Sequence, residues 1–267
     1  MTDSSWAPPP AGDPQVDLRA AFTYGWSRFK ENPTPWVVSM LPLVLYIDFS
    51  VYQRLTGATF STGGSLVVLL MTFLVGLVYR IVVTQGALEE VDGRAPAIGE
   101  FFKVHSWAGA LGAAALVMIL TMLPSLVGPP IAGLFVVYGN GGGAMGIFAI
   151  VMILLTLLAE VALIFLTFYA LTFALDQRQP PVEALKSSVR LVRTNLGQLA
   201  PFALVCAGVI IGGALLCGVG IVVAIPVAVI ASTYVYRVLV GGPIAALDGQ
   251  TPGVGGYYRD PPFPKDS

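Results

Sequence analysis

Five predominantly apolar runs constrain the fold of this chain more than any other feature of its sequence. They cover residues 36–52, 66–83, 110–127, 145–175 and 199–240. A helix needs about 20 residues to cross a bilayer, at a rise of about 1.5 Å per residue. The last run is about twice that length, and Gly218 and Gly220 near its middle permit a tight turn between two helices. The fourth run is long for one span, so we expect it to tilt or to extend beyond the membrane. The sequence therefore predicts an all-α membrane bundle of six spans.

The composition supports this class of protein. Hydrophobic residues make up 56% of the chain and charged residues 11%, against roughly 45–50% and 25% in soluble globular proteins. A soluble protein of this length would carry its charges over a large surface. The formal net charge of −1 argues against nucleic acid as a partner, because phosphate-binding proteins carry an excess of Lys and Arg.

The basic residues between the runs predict the orientation. With six spans and both termini in the cytoplasm, Arg94, Lys103 and Arg178 lie on the inner side and only Arg54 falls outside. The loop between the third and fourth spans carries no charge. Because Lys and Arg in short loops set topology, we expect a multi-pass protein of the bacterial plasma membrane with cytoplasmic N- and C-termini.

A short signature recurs three times along the chain. An Asp, any residue, Arg or Gln, any residue and Pro occupy residues 92–96, 176–180 and 248–252. Each copy follows two expected spans, which predicts three parallel helix-hairpin repeats. The repeats cover residues 16–96, 97–180 and 181–252 of a membrane domain at 16–250, between disordered tails at 1–15 and 251–267. Asp and Pro are turn and helix-start residues, so we interpret the signature as punctuation and not as a catalytic motif.

An amphipathic segment precedes each hairpin. The first contains Leu18, Phe22, Trp26 and Phe29 at helical spacing, and the third interleaves Leu185, Val189 and Val192 with Lys186, Arg190 and Arg193. The middle segment, around Phe101, is weaker. Such helices lie in the membrane interface, and the alternative is that they are helix starts packed on neighbouring loops. The lipid-facing candidates are Trp26, Phe29, Lys186, Arg190 and Arg193.

Three ionisable residues lie in or next to the apolar runs. Glu160 is in the middle of the fourth run, Arg80 is near the end of the second, and Asp48 is near the outer end of the first. A charged carboxylate at the bilayer centre costs about 2.5 kcal/mol or more, and is by default a functional-site hypothesis. Glu160 is therefore the candidate for a proton or cation relay. The alternatives are a protonated Glu160 bonded to a neighbouring helix, or an ion pair with Arg80.

The residue inventory argues against an enzyme. His105 is the one histidine, and no cluster of His, Cys, Asp and Glu has metal-ligand spacing. Neither a nucleophile elbow nor a phosphate-binding loop motif occurs. We expect no catalytic residues, no metal and no cofactor.

Two resemblances follow from particular residues. The stretch from Asp17 to Pro33 resembles the opening of a widespread family of largely uncharacterised actinobacterial membrane proteins. The turns at Asp92 and Asp248 are similar to those in the membrane domain of some bacterial glycerophosphodiester phosphodiesterases. The resemblance implies a six-span α-helical protein. It implies no phosphodiesterase activity, which belongs to a separate soluble domain with metal-binding acidic residues and histidine.

Three functions fit these observations. The favoured one is a non-enzymatic scaffold or accessory subunit of the cell envelope. The others are a small-molecule or proton-coupled transporter using Glu160, and a lipid-binding protein of envelope homeostasis. Membrane lipids and a membrane-protein partner are the expected partners, and the sequence does not determine the oligomeric state.

Overall fold

The computed structural model describes residues 15–56, 62–138, 143–215 and 220–247. The two tails, the turn expected around Gly218 and the third copy of the signature lie outside these ranges, except for residues 15 and 220. All regular elements in the described ranges are helical: α1 Leu18–Glu31, α2 Pro33–Ser39, α3 Leu41–Thr56, α4 Thr62–Val91, a 3-10 helix Ile98–Phe102, α5 Trp107–Tyr138, α6 Gly143–Thr167, α7 Ala170–Asp176, α8 Pro181–Thr194, α9 Leu196–Leu215 and α10 Ile221–Val240.

Five described stretches are long and apolar enough to cross a membrane: Leu66–Val91, Trp107–Val137, Gly146–Asp176, Leu196–Leu215 and Ile221–Val240. They correspond to the second to fourth apolar runs and to the two halves of the fifth. The all-α class is confirmed for the described residues, and the spans indicate a multi-pass membrane protein.

The first apolar run does not form one long helix. It is divided into α2 and α3, which are separated at Met40. Pro42 stands at the second residue of α3, where its missing N–H is tolerated because the first turn leaves that group unpaired in any case. Met40 at the break and Trp36 one turn before it are fully buried. The continuous helix that we expected over residues 36–52 is thus replaced by two short ones.

The fourth apolar run is also interrupted, after Thr167. Here α6 ends and α7 begins at Ala170, so the excess length is taken up by a break in the helix. The side chain of Ser188 on α8 lies at this break. Its Oγ donates to the carbonyl of Leu166 at 2.8 Å and accepts from the N–H of Tyr169 at 3.1 Å. These bonds satisfy two backbone groups that the helix break releases.

The described chain divides into two compact units. The first unit contains α1, the end of α4, most of α9 and all of α10. Within this unit, helix α1 packs along α10. The contact is closest at Gly25, where an added Cβ would lie 2.6 Å from the carbonyl oxygen of Val227 and 3.1 Å from the N of Ala231. Ala21 and Phe29 on the same face are buried. This face of α1 therefore packs against a span, and its backbone approaches that of α10.

The second unit contains α2, α3, most of α4, the 3-10 helix and α5 to α8. Helices α5 and α6 form its most extensive helix pair, and α8 packs against α5, α6 and α7. The 3-10 helix places the buried ring of Phe101 against Gly86 of α4, where a Cβ would meet the ring. The middle amphipathic segment is accordingly a single 3-10 turn anchored by one aromatic side chain.

The closeness of α1 and α10 leads to a testable prediction for Gly25. Replacing Gly25 with Ala should destabilise the protein by about 1–3 kcal/mol, because the added methyl group meets the α10 backbone. Gly208→Ala on α9, where nothing lies within 4 Å of the added Cβ, should be neutral or stabilising by up to about 1 kcal/mol. Thermal unfolding in detergent measures both variants. Equal stability of the two would contradict the packing of α1 on α10.

Candidate functional site

Glu160 lies on α6 and faces α5. It is half-buried, and its Oε2 accepts a hydrogen bond from Ser125 Oγ at 3.0 Å. The two helices can approach here because Gly128, one turn along α5, has no side chain where Thr156 packs. The ion pairs formed by the described residues do not include Glu160 or Arg80. In this structure Glu160 therefore has a hydrogen bond to a neighbouring helix, α5.

The other two ionisable candidates are not brought to Glu160. Arg80 is half-buried on α4, and its carbonyl accepts from the hydroxyl of Thr84 at 2.8 Å. Asp48 falls within α3, and its side chain lies outside the described part of the structure. The hydrogen bond shown for the Glu160 side chain among the described residues is the one from the hydroxyl of Ser125.

The basic candidates on α8 share one exposed face. Lys186, Arg190 and Arg193 are exposed, whereas Ala184, Ser188 and Val192 on the opposite face are buried. Lys186 Nζ forms an ion pair with Glu183 at 2.9 Å, with both side chains exposed. The basic face borders a shallow groove of about 420 Å³ lined by α8 alone, including the half-buried Leu185 and Val189. The three basic side chains of α8 are therefore on its exposed side, and its buried side packs within the second unit.

The two aromatic candidates on α1 have different surroundings. Trp26 is 46% exposed, and the ammonium of Lys30 lies 5.8 Å from the centre of its ring. Phe29 is 6% exposed and belongs to the buried face of α1. Trp26 is therefore available to the membrane interface, and Phe29 is a packing residue in this structure.

A cluster of polar and charged side chains that the sequence did not indicate lies in the first unit. We call it the polar cluster, and it consists of Tyr24, Arg28, Asn32, Glu90, Asp92, Arg94 and Arg237. Asn32 at the end of α1 donates to the buried carboxylate of Glu90 at 3.1 Å. Arg28 donates to the carbonyl of Ala246 at 2.8 Å. These bonds tie the end of α1 to the end of α4 and to the segment that follows α10.

Asp92, the first residue of the first signature, is the centre of this cluster. Its carboxylate accepts from Arg237 Nη2 at 2.8 Å and from Arg94 Nη2 at 2.8 Å. The Arg237 side chain is 9% exposed and that of Asp92 25%. Gly93 follows in a left-handed conformation with φ 81°, whereas in the second copy the left-handed residue is Arg178 with φ 54°. The signature therefore forms turns of different geometry, and its first copy also supplies a structural ion pair.

Tyr24 is the tyrosine of the polar cluster, and its side chain is buried. Its hydroxyl donates to the carbonyl of Ala245 at 3.2 Å and accepts from Arg28 Nε at 3.3 Å. Burial raises the pKa of Tyr24 to about 12, against a smaller opposing effect of Arg28. Tyr24 is consequently a neutral donor at physiological pH. The polar cluster joins the end of α1 to the end of α4 and to the segment that follows α10.

No group of three His, Cys, Asp or Glu side chains in the described ranges is close enough together to hold a metal ion.

The fold and these sites describe a multi-pass α-helical membrane protein, and comparison with known proteins gives distant relatives. The chain is 26% identical to an uncharacterised protein of Mycobacterium bovis and to one of Mycobacterium tuberculosis strain CDC 1551, over 93% of its own length and 78% of theirs. An uncharacterised protein of Mycobacterium tuberculosis strain H37Rv is 25% identical over the same shares. No protein-family description and no solved structure matches the chain. Mycobacterial relatives agree with the actinobacterial resemblance, and the similarity to phosphodiesterase membrane domains gains no support.

The burial of the Asp92 ion pair leads to a prediction with a matched control. Asp92→Asn should lower the free energy of unfolding by about 2–3 kcal/mol, because it removes the carboxylate that pairs with the buried guanidinium of Arg237 at 2.8 Å. Glu183→Gln removes an equally short but exposed pair, and should cost less than about 1 kcal/mol. Unfolding midpoints in detergent distinguish the two. A similar loss in both variants would show that the Asp92 pair contributes no more than a surface pair.

Proposed function

We propose that this chain is a non-enzymatic scaffold or accessory subunit of the bacterial plasma membrane, and that it binds anionic lipid head groups through the basic face of α8. The observation that supports this most directly is the pair Arg190 and Arg193. Both are exposed, and neither takes part in the ion pairs formed by the described residues. Guanidinium groups bind phosphate oxygens in a bidentate manner, and each basic residue near an anionic surface contributes about 1 kcal/mol.

The orientation of α8 is fixed by its other face. Ser188 is bonded to the break between α6 and α7, and Ala184 and Val192 are buried beside it. Rotation of the helix would break these contacts, so its basic side stays outward. The apolar side chains of Leu185 and Val189 lie beside the basic side chains of α8. Apolar residues next to cations are typical of helices that lie in the head-group region. Arg193 lies in the last turn of α8, where the helix dipole favours a positive charge. The helix dipole does not explain why position 190 is also an arginine.

The proposed topology has six spans with both termini in the cytoplasm. The α2–α3 segment would supply the first crossing in addition to the five long stretches. Under this topology α8 lies at the inner leaflet, together with the basic residues Arg94, Lys103 and Arg178. Anionic lipids of the inner leaflet are then the molecules that the basic face meets first.

We further propose that the membrane domain consists of three parallel repeats. Two comparisons of the described residues support this. Helices α1 and α8 are both 14 residues long and end at an Asn cap, and the buried residues Ala21, Gly25 and Phe29 occupy the same spacing as Ala184, Ser188 and Val192. In addition, the first segment of each repeat contacts the second span of the repeat before it. The 3-10 helix contacts α4 of the first repeat, and α8 contacts α6 and α7 of the second. The circle is closed by α1 of the first repeat, which contacts α10 of the third.

The head-group proposal is tested by lipid exchange in nanodiscs. The wild-type protein should unfold at a higher temperature in phosphatidylglycerol than in phosphatidylcholine. The double variant Arg190→Gln, Arg193→Gln should lose most of this difference and bind phosphatidylglycerol about ten- to thirtyfold more weakly. The control Lys103→Gln removes an exposed cation that is paired with Glu100 at 2.9 Å, and should leave the difference unchanged. A response to phosphatidylglycerol that survives the double variant would refute the role of α8.

Proton-coupled transport is a second candidate because Glu160 and Ser125 form a hydrogen bond between two spans. A relay through Glu160 predicts that Glu160→Gln abolishes pH-dependent solute uptake into reconstituted vesicles. Ser125→Ala should reduce the uptake by less, because the carboxyl group is retained. Uptake that is absent in the wild-type protein, or unaffected by Glu160→Gln, argues for the scaffold instead.

A further inference from the structure

A groove in the second unit has the size and surroundings of a lipid site. It has a volume of about 380 Å³ and lies between the α2–α3 break, the middle of α4 and the 3-10 helix. Val38 and Pro42 line one wall, Val75 and Val78 the second, and Ile98 and Phe102 the end. It is distinct from the basic face of α8, so its argument does not depend on the proposed function.

The lining offers no polar group that needs a ligand. Ser39 and Tyr79 carry the two hydroxyl groups among the lining residues. Ser39 Oγ donates to the carbonyl of Trp36 at 2.7 Å, and the hydroxyl of Tyr79 donates to the sulfur of Met40 at 3.2 Å. Both donors are already engaged within the protein. The groove is therefore suited to an apolar occupant.

The groove is held in shape by packing at its end. The ring of Phe101 is buried against Gly86 of α4 and lies edge-on to Trp36 of α2, with 5.1 Å between ring centres. The three walls are thus joined by one aromatic contact. A groove formed in advance in this way binds its ligand without a large ordering cost.

The surroundings of the groove indicate what kind of molecule occupies it. The wall residues of α4 lie within Leu66–Val91, a stretch long and apolar enough to cross the membrane, so the open side of the groove faces hydrocarbon. An empty groove would lose dispersion contacts along its walls. A partner's transmembrane helix is roughly 30 Å long and 10 Å across, so the groove of about 380 Å³ would accommodate only about one turn of it. With about 30 Å³ for a group the size of a water molecule, the groove holds roughly a dozen methylene groups.

We propose that this groove binds one acyl chain of a membrane phospholipid as a resident site. The chain enters from the bilayer and fills the space that the α2–α3 break leaves beside α4. The lipid's head group then lies near the 3-10 helix.

Photo-crosslinking with a phosphatidylglycerol that carries a diazirine in its acyl chain tests this site. In nanodiscs, the wild-type protein should be labelled on residues 74–82 and 98–102. Val78→Trp places an indole in the groove and should reduce this labelling at least fivefold. Leu70→Trp is the matched control, because Leu70 is exposed on the same helix but does not line the groove. Its labelling should equal that of the wild-type protein.

A second variant separates occupancy from folding. Ile98→Trp fills the groove from the 3-10 helix, where Ile98 is exposed, and should give the same loss of labelling without altering α4. Native mass spectrometry should show one retained phospholipid on the wild-type protein and on Leu70→Trp, but not on the two groove-filling variants. Undiminished labelling in both filled variants would overturn the proposal, as would labelling spread evenly along α4.

Discussion

The hydroxyl of Ser188 satisfies the carbonyl of Leu166 and the N–H of Tyr169 at a helix break inside a membrane-crossing stretch. Tyr169 is buried in the protein, and buried backbone groups that a helix break releases must find hydrogen-bond partners within the protein. One serine on a neighbouring helix supplies both bonds. The same contact fixes which face of α8 is turned inward. The break in one span and the outward direction of the basic residues on α8 are consequently parts of a single arrangement.

Small side chains have a corresponding role where helices meet. Gly25 lets α1 reach the backbone of α10, Gly86 leaves room for Phe101, and Gly128 brings Ser125 within reach of Glu160. Helices in membranes gain little from hydrophobic contact with each other because lipid is equally apolar, so close packing of backbones is what favours their association. These three glycines therefore allow close approaches that a larger side chain would prevent.

The long apolar runs predicted most of the helices, because length and hydropathy are sufficient to identify a span. The break at Met40 could not be predicted, since Pro42 fits equally well in the first turn of a new helix and in a bent one. The sequence also could not predict that Trp26 is exposed and Phe29 is buried. Residues three apart share a helix face, and only the position of α10 decides which of them is covered.

The polar cluster was missed for a different reason. Arg237 and Asp92 are 145 positions apart, and periodicity contains no information about pairing over such a distance. The available signal was the presence of Glu90 and Arg237 near the ends of spans, where uncompensated charges are costly. Glu160 was found by this argument because it is in mid-run. The exposure of Lys186, Arg190 and Arg193 on α8 could be expected from their spacing, which is a local property of the sequence.

The docking of α1 on α10 has a consequence for the order of biosynthesis. Tyr24 of α1 bonds to Ala245, 221 positions later in the chain. At about 5–20 residues per second, that separation corresponds to roughly 10–40 s of translation. During this interval α1 lacks the helix against which Gly25 packs in the finished protein. The first described helix of the chain is thus among the last to reach its final position, because its partner α10 is the last described helix to be made.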